Sequence, residues 1–328
     1  MKKFTILFFL LCLTGTAFCL GATAKTISVN AGYRVYEKSY EDFMVSGNLD
    51  EGKIGDFVSY LKKVTDKKPI NSAVRIINGK AYAGISRVGY FINENTAKEK
   101  ITQAVLKGES QVTIDVETEE PDFPFLKMRD VNTKLASYTT DFSGGDNGKC
   151  INIALSAEKC NGSVLLPGEE FSFNKTVGPR SEETGFADSI CFENGRKVMG
   201  MGGGICQTST TIFNAVLLAG LEIAERHNHS LKVFYVPLGQ DAMVAWGYAD
   251  FKFRNNTDYP VVLFATVKDN KLICELWGNE KAFKICGVDR EESEDTNRAK
   301  IYRYETDQKG NHIYNYETSS KYKDPIVD

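Results

Sequence analysis

The sequence lacks several features that would place it in common protein classes. Its 40 lysines and arginines face 43 aspartates and glutamates, a net charge of −3. Without a basic excess, no nucleic-acid partner is expected. After the N-terminus, no apolar run is long enough to span a bilayer, so no second membrane span is expected. Only three histidines are present, which leaves few candidates for an imidazole base.

The N-terminus has the pattern of a secretory signal peptide. Lys2 and Lys3 precede the apolar run Phe4–Leu13, and Ala22-Thr23-Ala24 supplies an A-x-A cleavage site. We expect cleavage after Ala24 and a secreted, cell-envelope protein that begins at Lys25, with an uncleaved anchor as the alternative. Removing 24 residues from 328 leaves 304 and removes two lysines, which changes the formal charge to −5.

Six cysteines lie beyond this segment: Cys150, Cys160, Cys191, Cys206, Cys274 and Cys286. An even count in an exported chain permits disulfides, but their connectivity cannot be read from sequence. Six in 304 residues is also far below the density of small disulfide-stapled domains. If Cys206 is a free thiol, one of the other cysteines is left without a partner.

Residues 25–124 follow an α+β pattern. Ile54, Phe57, Val58 and Leu61 have the spacing of an amphipathic helix, and a second helix is predicted over Thr96–Leu106. Asn78-Gly79 predicts a hairpin between Ala73–Ile77 and Lys80–Ile85. Val112, Ile114 and Val116 then alternate in a strand, and Glu117–Pro124 marks the domain boundary. This order predicts a small αββαβ-like domain.

A second domain is predicted over residues 129–268, with a β-rich extension over 269–328. It contains a helix over Asn152–Cys160 and a nearly all-apolar, hence central and buried, helix that Gly220 stops. A mainly antiparallel sheet packs on this helix. The expected strands are Leu231–Val236, Ala242–Trp246, Asp250–Phe253 and Val261–Val267, followed by a hairpin that carries Tyr302, Tyr304, Tyr314 and Tyr316 around Lys309-Gly310-Asn311.

The stretch GMGGGICQ before the central helix raises a chemical question. Glycine gives no packing, so Gly202, Gly203 and Gly204 indicate a need for bare backbone, which we interpret as close approach of a substrate. Cys206 follows at the helix start, where unpaired N–H groups and the helix dipole favour a thiolate. Cys206 is the candidate nucleophile. Gln207 is a candidate oxyanion donor, and Thr208 or Ser209 is the expected helix cap.

A cysteine nucleophile needs a base, and a substrate needs a residue that anchors it. His227 and His229 lie two apart, on one side of the chain if it is extended, and either is a candidate base that Asp241 orients. Arg180 and Arg226 are candidate anchors for a carboxylate.

Less specific interpretations stay open for each of these residues. Cys206 can pack under a glycine turn, form a disulfide with Cys191, or bind zinc with the two histidines, although no C-x-x-C or H-E-x-x-H spacing is present. The histidines can be ordinary polar residues, and the arginines can form ion pairs. No metal and no cofactor is expected.

Four blocks of the sequence resemble the VanW family, named for a gene of some vancomycin-resistance clusters. They are Tyr138–Gly162, Leu165–Arg180, Gly202–Ser230 and Tyr235–Leu263. Leu49–Pro121 also resembles the peptidoglycan-binding domain that often precedes VanW domains in Gram-positive bacteria. The resemblance implies a cell-envelope protein whose partner is peptidoglycan or a wall peptide.

The order of the glycines, the cysteine helix and the following segments is similar to transglutaminase-like cysteine enzymes. Asp241 stands where those enzymes have a histidine, so the base would come from His227 or His229. Two functions follow as hypotheses: cysteine-dependent acyl transfer or hydrolysis on wall peptides, or a non-catalytic wall-binding or scaffolding role.

Overall fold

The computed structural model describes residues 25–193, 196–293 and 297–324, without the side chains of 192–197. The predicted signal peptide, residues 1–24, lies outside the described residues. No helix in the described part of the chain is long and apolar enough to cross a bilayer. Contacts divide the chain into two units. The first consists of the described residues before Ala73 together with Ile85–Pro124, and the second consists of Ala73–Gly84 together with the described residues from Phe125 onward.

The elements before Pro124 largely follow the predicted order. They are β1 (Thr26–Ala31), β2 (Arg34–Ser39), β3 (Met44–Val45), β4 (Asn48–Leu49), α1 (Glu51–Thr65), β5 (Val74–Ile77), β6 (Lys80–Ala83), β7 (Gly89–Ile92), α2 (Glu94–Lys107), β8 (Gln111–Ile114) and β9 (Val116–Glu119). β1 pairs with β2 antiparallel and with β8 parallel, and β5 and β6 form the hairpin around Asn78-Gly79. The extra strands β7 and β9 pair with each other.

Both helices of this region owe their position to the apolar stripe that the spacing predicted. The Asp50 side chain caps α1, whose Ile54, Val58 and Leu61 are almost wholly buried. Gly108 ends α2 with φ of 69°, a left-handed conformation that favours glycine.

From Phe125 the chain builds a helix-on-sheet core. Its elements are α3 (Phe125–Met128), β10 (Thr133–Asp141), α4 (Asn147–Cys160), β11 (Ser163–Leu165), β12 (Glu170–Ser172), α5 (Phe173–Val177), β13 (Asp188–Glu193), β14 (Arg196–Met201), α6 (Ile205–Ala219), β15 (Glu222–Glu225), β16 (Lys252–Arg254), β17 (Val261–Lys268), β18 (Lys271–Gly278), β19 (Cys286–Ser293), β20 (Arg298–Thr306) and β21 (His312–Lys321). The largest sheet is antiparallel, in the order β10-β18-β17-β11.

Helix α6 is the central buried helix that the sequence predicted. It packs on β10 and β18, and its Ile212, Phe213 and Val216 are fully buried. Gly220 ends it with φ of 69°. Together with the antiparallel sheets, this helix confirms the α+β fold class.

Two predicted strands are wrong. Leu231–Val236 and Ala242–Trp246 form no ladder, and only the isolated bridges His227↔Met243 and Ala245↔Ala249 occur there. The backbone of Ala242 bonds instead to side chains of α6: its carbonyl accepts from Ser209 and its N–H donates to Thr210. The backbone of this segment forms hydrogen bonds with side chains instead of with a neighbouring strand. The alternating apolar pattern therefore does not produce a β-strand here.

The last residues form the predicted hairpin. β20 and β21 pair antiparallel and carry Tyr302, Tyr304, Tyr314 and Tyr316. The Arg303 guanidinium, which is buried, donates to the carbonyl of Leu221, just after α6. This sheet therefore bonds directly to the core that holds α6.

Other residues of the protein occupy the space where side chains of Gly203 and Gly204, before α6, would lie. A Cβ on Gly203 would lie 2.7 Å from the carbonyl oxygen of Ile190, and one on Gly204 would lie 2.6 Å from Cγ of Lys149. Gly202 and Gly204 also have φ of 81° and 96°. Internal close packing thus explains these glycines, and a contact with substrate stays a prediction.

Replacing Gly203 with alanine tests this packing, because its φ is not in the left-handed region and only the close approach opposes a side chain. We expect Gly203→Ala to lower the free energy of unfolding by about 1–3 kcal/mol in urea titration. Gly144→Ala is the matched control, since its Cβ would meet nothing within 4 Å. Equal stability of the two variants would contradict the packing explanation.

Candidate functional site

Cys206 is the second residue of α6, and its thiol is free and partly buried. Gly204 is the N-cap of the helix and supplies no side-chain hydrogen bond to its first turn. The thiol lies 3.4 Å from the carbonyl oxygen of Val244, whose N–H lies 3.5 Å from the sulfur. The sulfur is thus held against the irregular segment that replaces the predicted strand, and it is not bridged to Cys191.

His229 is the imidazole that the fold brings to this sulfur. Its backbone N–H and its ring Nδ1 both bond Oδ2 of Asp241, at 2.6 and 2.7 Å. With Nδ1 engaged, Nε2 is the ring nitrogen left for Cys206, whose sulfur is close enough for the two groups to shift each other's pKa. Two bonds to one carboxylate oxygen fix both the backbone and the ring of His229.

Asp241 is itself fully buried and held from three sides. Its Oδ1 accepts from Nη2 of Arg226 at 3.1 Å and from the hydroxyl of Tyr322 at 2.7 Å. The opposite charge of Arg226 and these bonds compensate the burial of the carboxylate. Cys206, His229 and Asp241 therefore form a continuous chain of contacts.

The charges of the site favour an ionised pair. Burial alone would raise the pKa of the Cys206 thiol, but His229, the Val244 backbone and Arg180 together hold it below its ordinary value of 9.0. Burial would likewise lower the pKa of His229, but Asp241 and Cys206 raise it to about 9. Near neutral pH His229 is therefore protonated, and its charge favours the thiolate form of Cys206.

His227 lies apart from this chain of contacts. Its Nε2 bonds Oε1 of Glu225 at 2.9 Å, and its side chain is 43% exposed. The segment is not a regular strand, so the expectation that both rings share one side does not hold. Of the two candidate bases, only His229 contacts Cys206 and Asp241.

Gln207 does not have the place expected of an oxyanion donor. Its Nε2 donates to Thr140 and to the carbonyl of Asp141, which uses both amide hydrogens, and its buried Oε1 has no partner among the described residues. Thr208 and Ser209 do not cap the helix as expected. Thr208 forms a hydrogen bond with Ser156, whereas Ser209 donates to the carbonyls of Cys206 and Ala242. These polar side chains of α6 position the site from inside the core.

The two arginines have different surroundings. Arg226 is buried and makes bonds to the carbonyls of Gly239 and Asp241 besides its ion pair, so it is a structural partner of Asp241. Arg180 lies 5.6 Å from the ring of Trp246, which is half exposed, and donates to the side chain of Asn174. Arg180 is the arginine that remains near the Cys206 thiolate.

Several site residues were missed by sequence reasoning. Burial, and after it the charge of Cys206, raise the pKa of Tyr235, so this phenol belongs to the electrostatic surroundings of the sulfur. Tyr322 reaches Asp241 from 81 positions along the chain. The sequence signal for Tyr235 was its place in the block that begins YVPLG, whereas nothing in the sequence linked Tyr322 to the site.

The described residues contain no group of three or more His, Cys, Asp or Glu side chains that could hold a metal ion. A thiolate can attack an electron-poor carbonyl, and the imidazolium next to it can protonate a leaving amine.

Comparison with known proteins gives the family. The model described as "VanW like protein" matches residues 148–277. "Uncharacterized protein YoaR" of Bacillus subtilis (strain 168) is 32% identical over 234 residues, which cover 71% of this chain and 76% of that protein. "Vancomycin B-type resistance protein VanW" of Enterococcus faecalis (strain ATCC 700802 / V583) is 31% identical over 168 residues, 49% of this chain and 61% of that protein.

No solved structure matches the chain. The coverage and identity of the first relative are sufficient to establish that the chain belongs to the VanW-like family. Cys206, His229 and Asp241 all lie inside the matched region, whereas Tyr322 lies beyond it.

The depressed pKa of Cys206 makes alkylation by iodoacetamide a direct test. At pH 7 we expect Cys206 to react faster than the thiols of the unfolded chain, and Cys286, whose pKa burial raises, to react more slowly.

Asp241→Asn removes a group that raises the pKa of His229, so the thiolate loses part of its partner's charge and its reaction at pH 7 slows. Mass spectrometry of the modified peptides gives both rates. A Cys206 that reacts no faster than an unfolded thiol would contradict the ion pair.

Proposed function

We propose that this protein is a cysteine-dependent enzyme of the cell envelope that transfers or hydrolyses an acyl group of a wall peptide. The observation that carries the proposal is the contact chain from the Cys206 thiol through His229 to Asp241. A merely structural cysteine needs no imidazole, and a merely structural histidine needs no doubly bonded, buried carboxylate.

The first half of the reaction forms a thioester. The Cys206 thiolate attacks the carbonyl carbon of the substrate amide, a C–S bond forms, and the π electrons move to the carbonyl oxygen. The tetrahedral intermediate then collapses, the C–N bond breaks, and the His229 imidazolium gives its proton to the leaving amine. Asp241 keeps its bond to Nδ1 throughout and holds the ring in place.

The second half releases the acyl group. An amine or a water molecule attacks the thioester carbon while neutral His229 takes its proton. Collapse of the new intermediate breaks the C–S bond and restores the thiolate and the imidazolium. An amine acceptor gives acyl transfer and water gives hydrolysis, so the choice depends on which nucleophile reaches the site.

A backbone donor replaces Gln207 in this mechanism. At the start of α6, the N–H of Ile205 bonds the carbonyl of Gly202 and that of Gln207 bonds the carbonyl of Gly204. Among the described residues the N–H of Cys206 has no such partner, and helix-start donors of this kind stabilise oxyanions. We assign the developing negative charge to this N–H.

The substrate class rests on the relatives. One relative is named as a vancomycin resistance protein, and the predicted signal peptide would place the chain outside the cytoplasm. Both support a role at the cell wall, and a wall peptide supplies the amide that a thiolate attacks. Secretion after cleavage at Ala24 and peptidoglycan as the partner are parts of this proposal.

Removing the sulfur tests the proposal. We expect Cys206→Ala to abolish conversion of purified wall-peptide fragments, while Cys286→Ala keeps most of the activity, because Cys286 is outside the contact chain. Chromatography of the fragments measures the conversion, and mass spectrometry of the wild-type protein after acid quenching detects the thioester on Cys206.

A folded Cys206→Ala variant with full activity would contradict cysteine catalysis. So would a wild-type protein that binds sacculi but never changes the fragments, which is the result expected of a scaffolding protein.

A further inference from the structure

Lys149 occupies an unusual position next to the nucleophile. It is the third residue of α4, and its stem crosses the bare face of Gly204, the cap of α6. Its Nζ lies 6.0 Å from the ring centroid of Tyr235, whose pKa is raised by burial and by the charge of Cys206. The fold therefore brings one more cation to the start of α6.

This position does not stabilise the protein by itself. A cation in the first turn of a helix is repelled by the helix dipole, which favours acidic residues there. Lys149 is also partly buried, and burial lowers the pKa of its ammonium although Asp146 counteracts the effect. A residue of opposite charge or no charge would suit α4 better.

The Lys149 ammonium has no ion-pair partner within 4 Å in the described part of the chain. The adjacent carboxylate, Asp146, is engaged otherwise: it accepts from the backbone N–H of Lys149 and, with both oxygens, from the hydroxyl of Ser189. Up to three donors of the ammonium therefore stay available to an external acceptor.

Arg180 is less suited to the same task. Its guanidinium donates to Gly178 and Asn174 and stacks against Phe173 and Trp246, so its orientation is set by the protein. It contributes charge near the thiolate, whereas no hydrogen bond or ion pair among the described residues fixes the Lys149 ammonium.

We infer that Lys149 binds the C-terminal carboxylate of the peptide whose amide Cys206 attacks. The inference rests on the proposed function and assigns the substrate class: a peptide with a free C-terminal carboxylate close to the reacting carbonyl. Gly204 precedes Cys206 by two residues, so a carboxylate held beside it lies within a residue or two of a carbonyl at the sulfur.

Binding without turnover tests the inference separately from catalysis. The probes are a fluorescein-labelled tetrapeptide, L-Ala-D-isoGln-L-Lys-D-Ala, with a free C-terminal carboxylate, and the same peptide as its C-terminal amide. Fluorescence anisotropy measures both affinities in a Cys206→Ala background, in which the peptide cannot be consumed. We expect the carboxylate to bind about tenfold or more tightly than the amide, as a charge-assisted bond provides.

Lys149→Met keeps the apolar stem on Gly204 and removes the charge. We expect it to abolish the preference for the carboxylate while leaving the affinity for the amide unchanged, and Lys149→Arg to restore part of the preference. Lys159→Met, at an exposed position of the same helix, is the matched control and should keep the full preference. Thermal unfolding confirms that each variant is folded.

Three results would overturn the assignment of Lys149. They are equal binding of the two peptides to the parent protein, binding of neither peptide, and an undiminished carboxylate preference in folded Lys149→Met. The proposed enzyme fails on a different result, namely unchanged fragments and no thioester, so the two failures are distinguishable.

Discussion

The site depends on one buried carboxylate. Asp241 accepts hydrogen bonds from the backbone and the ring of His229, forms an ion pair with Arg226 and accepts a hydrogen bond from the hydroxyl of Tyr322. Without this anion the imidazolium would lose the group that keeps it charged, and the pKa of Cys206 would rise with it. Removing one partner of a buried ion pair lowers the free energy of unfolding by about 3–5 kcal/mol. Asp241 therefore links the chemistry of the site to the stability of the fold.

The fold supplies this carboxylate with partners from separate parts of the chain. The polar half of α6 fixes the backbone around Ala242, and the C-terminal hairpin contributes Ser320 to Arg226 and is followed by Tyr322. The extension beyond the family match is therefore part of the site's support. We expect its loss to disturb the orientation of His229 before it disturbs the sheet under α6.

Sequence patterns predicted the elements that local spacing determines. The stripe of α1, the Asn78-Gly79 hairpin and the buried α6 with its Gly220 stop all appear in the structure. The position of Cys206 at a helix start was also predicted, and the structure has it as the second residue of α6. Two features could not be predicted from periodicity. One is which of His227 and His229 reaches the site, and the other is that Ala242–Trp246 forms no strand. Both depend on hydrogen bonds made by side chains, some of them between segments far apart in the sequence. Lys149 and Tyr322 came to the site by the same long-range folding.

The ring of His229 reports most directly whether the resting site holds an imidazolium beside a thiolate. Nuclear magnetic resonance of ¹⁵N-labelled histidine follows the protonation of this ring as the pH is raised. We predict that the His229 ring stays doubly protonated until about pH 9 and that Cys206→Ala lowers this value, because the thiolate no longer supports the charge. A ring that titrates near 6.5 in the wild-type protein, or at the same pH with and without the sulfur, would contradict the ion pair.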